Sequence, residues 1–195
     1  VFTVSASVKA ELTERFKISD SDIMVIGNKV SKRLLGADEK KPDRNKLGEK
    51  EFFLMVGSDN PRKNFAFAEK VFAEHFPQFD LVIAGGAHSN FSKTTQRQSE
   101  NIIRLGFTSE EELKWLYKNA KAQIAPSFYE GFGIPNLEAM AFGCPVLCSD
   151  IVSFRGVCGS AAWYFDPAKE ESLVSAVNGL QEKNEEMKSK AIEGK

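Results

Sequence analysis

Short, almost wholly apolar segments alternate with helical segments along most of the chain, and this alternation limits the folds that the sequence can adopt. The apolar segments, predicted strands, are IMVIG (23–27), EFFLMVG (51–57), DLVIAGG (80–86), NIIRLG (101–106), AQIAPS (122–127), PVLCSD (145–150) and AAWYF (161–165). Near-continuous apolar strands are required where both faces of a parallel sheet are covered. Their alternation with helices predicts right-handed crossovers and a doubly wound α/β domain with a parallel sheet.

Helical patterns and polar stretches fill the segments between the strands. Helices are predicted over residues 64–76, 108–120, 135–142 and 168–192, and loops over 31–50 and 87–100. The helix over 108–120 is expected to begin at Thr108 or Ser109, and Thr108 with Glu111 fits a capping box. In a sheet of this kind ligands bind beyond the carboxyl ends of the strands, so the residues that follow the strands are the candidates for function.

The first 20 residues differ from the rest. The stretch VFTVSASVKAELTERFKI predicts a strand, a serine N-cap at Ser5 or Ser7, and a helix. This unit either opens the α/β domain or ends a preceding one. We therefore divide the chain into a leading unit, residues 1–20, and an α/β domain, residues 21–195.

Composition excludes several classes of protein. A net charge of −1 over 195 residues argues against a nucleic-acid partner. No apolar run reaches the ~20 residues of a membrane span, and no signal peptide is predicted, so we expect a cytoplasmic protein. The three cysteines, Cys144, Cys148 and Cys158, are too few for a typical metal site and are expected to be core residues in a reducing compartment.

The stretch YEGFGIPNLEAM, residues 129–140, brackets an uncharged turn with two carboxylates, Glu130 and Glu138. Pro135 suits the first turn of a short helix, and Gly143 suits its C′ position. The free amides at the start of such a helix form an anion site. Gly131 and Gly133 are expected to let the backbone approach a ligand that a Cβ would block.

The charged residues near this turn suit the remaining parts of a sugar nucleotide. Glu138, one turn into the helix, leans back toward its start and can accept two hydroxyl hydrogen bonds, as a ribose would supply. Glu130 can reach the other side of the bound anion. Arg62 and Lys63, in the loop GSDNPRKN (57–64), offer the cations for phosphate, although basic loop residues are often only solvated surface groups.

Five stretches together resemble the C-terminal domain of the retaining glycosyltransferases of family 4, also called group 1, which have the GT-B architecture of two facing Rossmann-like domains. They are VGSDNPRKN (56–64), LVIAGG (81–86), IIRLGFTSEEELKWLYKNA (102–120), APSFYEGFGIPNLEAMAFGCPVLCSD (125–150) and GSAAWYFDP (159–167). The E-x7-E element with its EGFG and EAMA surroundings is the most specific of them.

The resemblance implies a role for each matching residue. Glu130 would contact the donor sugar and steady charge near the anomeric carbon, while Lys63, with Arg62 beside it, would neutralise the leaving diphosphate. Glu138 would bind the ribose. The amides that would face sugar and phosphate oxygens belong to Gly131, Phe132, Gly133, Asn136 and Leu137. The nucleobase would lie near Gly106, Phe107 and Thr108.

The chain departs from the family's pattern in places. Ser58 stands among the donor-binding positions where many relatives carry arginine, and Arg155–Gly156 replaces a frequent proline–glutamate pair. The family's N-terminal domain is absent, so residues 1–20 would lead in from it and the acceptor, a glycan or lipid-linked sugar, would bind there. That missing half could also bring the protein to the inner membrane face. The resemblance implies no metal and no cofactor beyond the nucleotide-sugar donor.

The resemblance implies an enzyme that transfers a hexosyl group from a nucleotide-sugar donor, and three alternative functions share parts of the pattern. A glycosidase also uses two carboxylates, at ~5–5.5 Å in retaining enzymes, but has no use for a phosphate-binding helix terminus. A dinucleotide oxidoreductase needs G-x-G-x-x-G after the first strand, whereas GFGIPN follows a late strand and has Asn136 at the third glycine position. A non-catalytic nucleotide-sugar-binding module is the third alternative.

Overall fold

The computed structural model describes residues 1–43, 47–86 and 99–183. Its strands are β1 (Phe2–Thr3), β2 (Met24–Val25), β3 (Phe52–Val56), β4 (Asp80–Ala84), β5 (Ile102–Gly106), β6 (Gln123–Ala125), β7 (Val146–Ser149) and β8 (Ala162–Phe165). Its helices are α1 (Ala6–Phe16), α2 (Lys32–Gly36), α3 (Phe65–His75), α4 (Glu110–Asn119), α5 (Ile134–Ala141), α6 (Val152–Cys158) and α7 (Glu170–Glu182).

Six of the strands form one parallel sheet in the order β5-β4-β3-β6-β7-β8. The chain builds outward from β3 through β4 to β5, then returns to the other side of β3 and continues through β6, β7 and β8. The predicted doubly wound α/β fold is therefore confirmed. The direction of winding reverses between β3 and β6, and a crevice for ligands opens at the carboxyl ends of strands at such a point.

The sheet has a separate apolar layer on each face because successive side chains of a strand point to opposite sides. In β3, Phe52 and Leu54 pack into the layer that contains Tyr117, whereas Phe53 and Met55 pack into the layer of α3 and α7. The Phe53 and Phe72 rings meet edge to face, with centroids 5.1 Å apart. Truncating one of these fully buried phenylalanines to alanine would cost about 3–5 kcal/mol.

A second, two-stranded parallel sheet joins β1 to β2, with Phe2 opposite Met24 and Thr3 opposite Val25. The strand predicted over residues 23–27 thus lies in this small sheet and is not part of the main one. Residues on both sides of position 20 therefore belong to the same local structure. Phe2, Met24 and Ile26 are 71%, 61% and 63% exposed, so much of this sheet's apolar surface is uncovered.

A few predicted elements differ from those in the structure. The predicted loop over 31–50 contains α2, which begins with a hydrogen bond from the Arg33 amide to the Ser31 hydroxyl and buries Leu34. Helix α6, seven residues long, was not predicted. The capping box of α4 pairs Ser109 with Glu112, so the prediction of Thr108 with Glu111 is wrong.

Other predictions agree with the structure or lie outside its described part. Ser5 is the N-cap of α1, Gly143 has the left-handed conformation of a C′ residue, and the three cysteines are buried and free. Most of the polar segment 87–100, and residues 184–192 of the last predicted helix, lie outside the described residues. Within the described ranges, no helix has the length and apolarity to cross a membrane.

Candidate functional site

Two turns that follow neighbouring strands meet at the point where the sheet reverses its winding. The first is the 3-10 turn Pro61–Lys63 after β3, in which the Asn60 side chain accepts a 3.1 Å hydrogen bond from the Arg62 amide. The second follows β6, and its Phe128 amide donates to the Arg62 carbonyl oxygen at 2.9 Å. Loops far apart in sequence therefore form one wall of the crevice.

Glu130 is held between two cations at this wall. Its Oε2 lies 2.6 Å from an Arg62 Nη1, its Oε1 lies 3.0 Å from Lys63 Nζ, and the Ser127 hydroxyl donates to Oε1 at 3.4 Å. The Glu130 and Lys63 side chains are only 11% and 14% exposed, so this pair is screened less than a surface ion pair. One carboxylate against two cations leaves a net positive charge, which suits an anionic ligand.

The backbone at Gly57 makes room for the lysine. A Cβ at this position would lie 3.0 Å from Lys63 Nζ and 3.1 Å from Lys63 Cε, and Gly57 has a φ of +139°, which other residues rarely adopt. Gly57 therefore determines the path of the Lys63 side chain back over the end of β3. A larger residue at position 57 would displace the ammonium group from Glu130.

The glycines of the second turn lie against other parts of the protein. Gly133 has a φ of +100°, and a Cβ there would lie 2.6 Å from the Phe154 ring of α6. A Cβ on Gly131 would lie 3.6 Å from both Val4 and Val8 of the leading unit. These contacts give the two glycines a structural role, and their predicted approach to a ligand stays a prediction. Gly133 is needed for its conformation and for Phe154, and Gly131 packs against α1.

The turn leaves amides at the start of α5. The amides of Asn136 and Leu137 both donate to the Gly133 carbonyl oxygen, at 3.1 and 3.3 Å. The first turn of the helix therefore uses these two amides, and the expectation that they also face ligand oxygens stays a prediction. Across residues 1–43, 47–86 and 99–183, the amides of Gly131, Phe132 and Gly133 donate to no other residue and can receive an anion.

Glu138 is fixed from behind by a tyrosine. The Tyr117 hydroxyl, on fully buried Tyr117 of α4, donates a 2.8 Å hydrogen bond to Glu138 Oε2. Burial raises the pKa of Glu138, and the hydrogen bond from Tyr117 opposes this rise. Burial and the neighbouring Glu138 carboxylate hold the pKa of Tyr117 well above its usual value, so Tyr117 stays protonated and remains a donor. The second Glu138 oxygen can therefore serve a ligand hydroxyl.

Asn136 is buried beneath the turn, with 1% of its surface exposed. Its side-chain nitrogen and oxygen have no nitrogen or oxygen partner among the described residues, and the Cys158 sulfur, a weak hydrogen-bonding group, lies beside it. The nitrogen lies 3.5 Å from the position that a Cβ on Gly133 would take. The Asn136 side chain thus supports the turn from inside and does not line its outer surface.

The other two predicted donor-site residues lie along the same edge of the sheet. Ser58 follows β3 after Gly57, and its carbonyl oxygen accepts a 2.9 Å hydrogen bond from the Asn60 amide. Phe107 follows β5 and is 90% exposed. Because β5 lies two strands from β3, Phe107 stands roughly 10 Å from the cluster of Glu130, Lys63 and Arg62 (the Glu130 cluster), measured across the strands.

Several residues of the site were not found from the sequence. Ser127 lies in the segment APS, but its contact with Glu130 depends on the folding of the turn. Nothing in the sequence distinguishes Tyr117 from a core aromatic, and its full burial in the structure is what requires a partner for its hydroxyl. Two contacts come from the leading unit, Ser5 with Gly131 and Glu11 with Tyr129. No local sequence pattern predicts them, because each joins residues far apart in the chain.

The described residues offer one further group that could hold a metal ion, Glu74, His75 and Glu170. It includes no residue of the Glu130 cluster, and Glu170 is already paired with Lys70. We assign no function to it.

The chain is a doubly wound α/β domain with a polar cluster at the point where its sheet reverses, and comparison with known proteins gives the family. Residues 37–195 match the family described as "Glycosyl transferases group 1". The chain belongs to this family, which confirms the resemblance found in the sequence.

Two curated relatives and two solved structures illustrate the similarity. The chain is 34% identical over 191 residues to "O-antigen chain mannosyltransferase RfbU" of Salmonella typhimurium, covering 93% of the chain and 51% of the relative. It is 34% identical over 131 residues to "O-antigen chain mannosyltransferase B" of Escherichia coli, covering 63% of the chain and 34% of the relative.

The structures share the fold at low sequence identity. Anabaena Alr3699/HepE, solved with UDP and glucose, has a TM-score of 0.84 at 17% identity, over 98% of this chain and 56% of that one. Sucrose-phosphate synthase from Thermosynechococcus elongatus has a TM-score of 0.78 at 21% identity, over 100% of this chain and 52% of that one. The chain thus spans about half the length of the first of these relatives and of both solved structures.

Proposed function

We propose that this chain is the donor-binding half of a retaining glycosyltransferase that transfers a hexosyl group from a nucleotide-diphosphate sugar. The observation that carries the proposal is the cluster of Glu130, Lys63 and Arg62, set beside the available amides of the 131–133 turn. Membership of the glycosyl transferases group 1 family supports it independently.

In the proposed reaction the bond between the anomeric carbon and the diphosphate oxygen breaks, and its electron pair leaves with the diphosphate. The acceptor oxygen bonds to that carbon, and its proton passes to the departing diphosphate. Negative charge grows on the departing diphosphate. Lys63, Arg62 and the turn amides would stabilise this charge, because they are already oriented and need not reorganise as water would. Glu130, between the two cations, would steady the positive charge at the anomeric carbon.

The rest of the donor would extend along the edge of the sheet. Glu138 would accept hydrogen bonds from the ribose hydroxyls, with Tyr117 holding the carboxylate in place. The nucleobase would lie near the exposed ring of Phe107, and Ser58 would lie beside the phosphates. Neither a metal nor another cofactor is required in this proposal, since two cations and a helix terminus supply the positive charge.

A mannosyl group is the donor sugar that the relatives favour, since several of the similar curated proteins are called mannosyltransferases. Those of O-antigen synthesis also point to a glycan or lipid-linked sugar as acceptor. The transferase would then act in the cytoplasm, at the inner face of the membrane.

The acceptor would be held by an N-terminal domain joined to the leading unit. The small β1–β2 sheet supports this, because two strands of two residues rarely form a stable sheet alone. Its exposed apolar residues, Phe2, Met24 and Ile26, would be covered by further strands of that domain.

The proposal is tested first by binding and then by turnover. Thermal shifts and calorimetry of the 195-residue chain with UDP, GDP, ADP and dTDP should reveal one preferred nucleotide. Glu138→Ala should weaken its binding at least about ten-fold, as expected for lost hydrogen bonds to a carboxylate. Glu182→Ala, an exposed carboxylate at the end of α7, is the matched control. If none of the four nucleotides binds, the proposal is refuted.

Turnover separates an enzyme from a non-catalytic nucleotide-sugar-binding module. In the longer protein that includes this chain, Lys63→Ala should lower kcat more than it raises KM, because the charge it meets grows in the transition state. Donor binding by the longer protein with neither transfer nor donor hydrolysis would favour the binding module.

A further inference from the structure

A serine of the leading unit reaches across to the turn between the two glutamates. Ser5, the N-cap of α1, is 9% exposed, and its hydroxyl lies 2.6 Å from the carbonyl oxygen of Gly131. The Ser5 hydroxyl oxygen also accepts a hydrogen bond from the Val8 amide at 3.2 Å and lies 2.9 Å from the Ser7 hydroxyl. One buried atom therefore joins the start of α1 to the turn.

The hydrogen bonds around Ser5 determine the direction of each proton. A hydroxyl has one proton to donate, and a carbonyl oxygen can only accept. The Ser5 proton is therefore directed at Gly131, and the Ser7 hydroxyl must be the donor in its contact with Ser5. Every hydrogen-bonding position of the Ser5 hydroxyl is used, so the contact with Gly131 has no competing arrangement.

This contact also orients the next amide. In a planar trans peptide the C=O and N–H groups point in opposite directions, and the described residues contain no cis peptide bond. Since the Gly131 carbonyl points at Ser5, the Phe132 N–H of the same peptide group points away from α1. Gly131 has no side chain to restrain this peptide, and rotation about glycine is easy.

We propose that Ser5 is a positioning residue for the nucleotide-sugar site: its hydroxyl fixes the Gly131–Phe132 peptide so that the Phe132 amide faces the diphosphate. This inference rests on the proposed function. The packing of Val4 and Val8 against Gly131 supports it, because the leading unit lies directly on this peptide. A shift of α1 relative to the α/β domain would release this peptide. The position of the leading unit therefore determines whether the Phe132 amide is oriented for the phosphate.

A second bond between the same two elements provides a matched control. The Tyr129 hydroxyl donates to Glu11 Oε2 of α1 at 2.7 Å. Tyr129→Phe removes this bond and leaves the bond from Ser5 to Gly131 intact. If only the attachment of α1 to the turn were needed for anion binding, loss of either hydrogen bond would weaken binding to a similar extent.

The experiment measures binding of inorganic pyrophosphate to the ¹⁵N-labelled 195-residue chain by amide NMR and calorimetry. The variants are Ser5→Ala, Ser5→Gly, Ser5→Thr and Tyr129→Phe. Glycine at an N-cap costs a helix only a few tenths of a kcal/mol compared with serine, so Ser5→Gly removes the hydroxyl with little effect on capping. Threonine keeps both the cap and the donor.

We expect saturable shifts of the Phe132 amide resonance in the parent chain, in Ser5→Thr and in Tyr129→Phe. In Ser5→Ala and Ser5→Gly we expect about ten-fold weaker binding, the equivalent of one hydrogen bond to a charged group, and a Phe132 resonance that no longer responds. The inference is overturned if Ser5→Gly binds like the parent, since capping would then explain the effect of alanine. The inference is also overturned if Tyr129→Phe binds pyrophosphate as weakly as Ser5→Gly does.

The outcome for the parent chain distinguishes this inference from the proposed function. Pyrophosphate that shifts no amide of residues 131–134 in the parent would refute the donor site and, with it, the role of Ser5. Parent binding that every Ser5 variant retains would refute the role of Ser5 alone.

Discussion

The Tyr117 hydroxyl donates a 2.8 Å hydrogen bond to Oε2 of Glu138, and so joins α4 to α5 across the apolar layer on one face of the sheet. Tyr117 is fully buried and stacks on Phe142, with ring centroids 5.9 Å apart. The tyrosine therefore cannot move aside easily. It leaves the Glu138 carboxylate with a fixed orientation and one oxygen for a ligand.

Replacing Tyr117 with phenylalanine should raise the pKa of Glu138, because the hydrogen bond that lowers it is lost while burial continues to raise it. The substitution should also cost about 1–3 kcal/mol of unfolding free energy, as expected for a hydrogen bond to a charged group. Carbon-detected NMR titration of the Glu138 carboxyl and urea unfolding measure the two effects.

Tyr164→Phe is the control for this substitution. The Tyr164 hydroxyl donates to the Gly159 carbonyl oxygen at 2.7 Å and does not contact Glu138. An unchanged Glu138 titration in Tyr117→Phe, or an equal change in Tyr164→Phe, would contradict the assigned hydrogen bond.

The sheet was predictable because its strands are apolar over their whole length and stand apart from the polar loops. Helix α6 was missed because seven residues with a glycine at position 156 carry too short a pattern to detect. Helix α2 was missed because Leu34 is its one buried residue. Local sequence indicates long elements well and short ones poorly, since tertiary packing determines the latter.

The sequence suggests the residues of the candidate site but not their contacts. The E-x7-E spacing indicated Glu130 and Glu138, and the position after a strand indicated Lys63. That Lys63 meets Glu130 depends on β3 and β6 being neighbours, which the sequence does not state. Nor does the sequence show that Gly133 faces Phe154 or that Ser5 reaches Gly131, because these partners come from distant segments.

Replacing Glu130 with glutamine should strengthen the binding of inorganic pyrophosphate while it lowers transfer by the longer protein. Lys63 and Arg62 would lose the carboxylate that now pairs with both, so the bound anion would meet more positive charge. We expect about a five-fold gain in affinity, equivalent to about 1 kcal/mol of charge interaction near a surface. Calorimetry at low salt measures it, and the gain should shrink at high salt.

Glu11→Gln is the matched control, since Glu11 lies near the same turn but pairs with Tyr129 and Arg15. It should leave the affinity for pyrophosphate close to that of the parent. Weaker pyrophosphate binding in Glu130→Gln would show that Glu130 organises the two cations and does not compete with the anion for them.

The two glycines of the turn should respond differently to alanine. Gly133→Ala combines a φ of +100° with a contact of 2.6 Å to the Phe154 ring, and should lower the unfolding free energy by about 2–4 kcal/mol. Gly131→Ala places a Cβ at ordinary van der Waals distance from Val4 and Val8, and should change stability by less than about 1 kcal/mol. Urea unfolding of both variants tests this contrast.

The double variant Gly133→Ala/Phe154→Leu separates the two causes. Removing the ring should recover the steric part of the loss, and the part due to backbone conformation should remain. Equal losses in Gly131→Ala and Gly133→Ala would show that the turn tolerates neither methyl group for a reason other than these contacts.

Two carboxylates of the protein should make stability depend on pH in opposite directions. The pKa of Glu138 is raised by burial, so the folded state binds its proton more tightly than the unfolded state. The unfolding free energy therefore falls as pH rises from the unfolded pKa, near 4.5, through the folded pKa. Glu138→Gln removes this fall, so its stability relative to the parent should increase with pH and level off once Glu138 is fully ionised.

Asp150 provides the opposite case. Two hydrogen bonds from Arg155, at 2.6 and 2.8 Å, hold the pKa of Asp150 below its usual value, so its ionised form stabilises the folded state. That contribution is complete above the unfolded pKa, near 3.8, and is lost as pH falls through the folded pKa. Asp150→Asn should therefore be less stable than the parent at pH 7, with a difference that disappears in acid. Urea unfolding of both variants between pH 3 and pH 8 measures the two slopes, and slopes of the same sign would contradict the assignment of burial to Glu138 and ion pairing to Asp150.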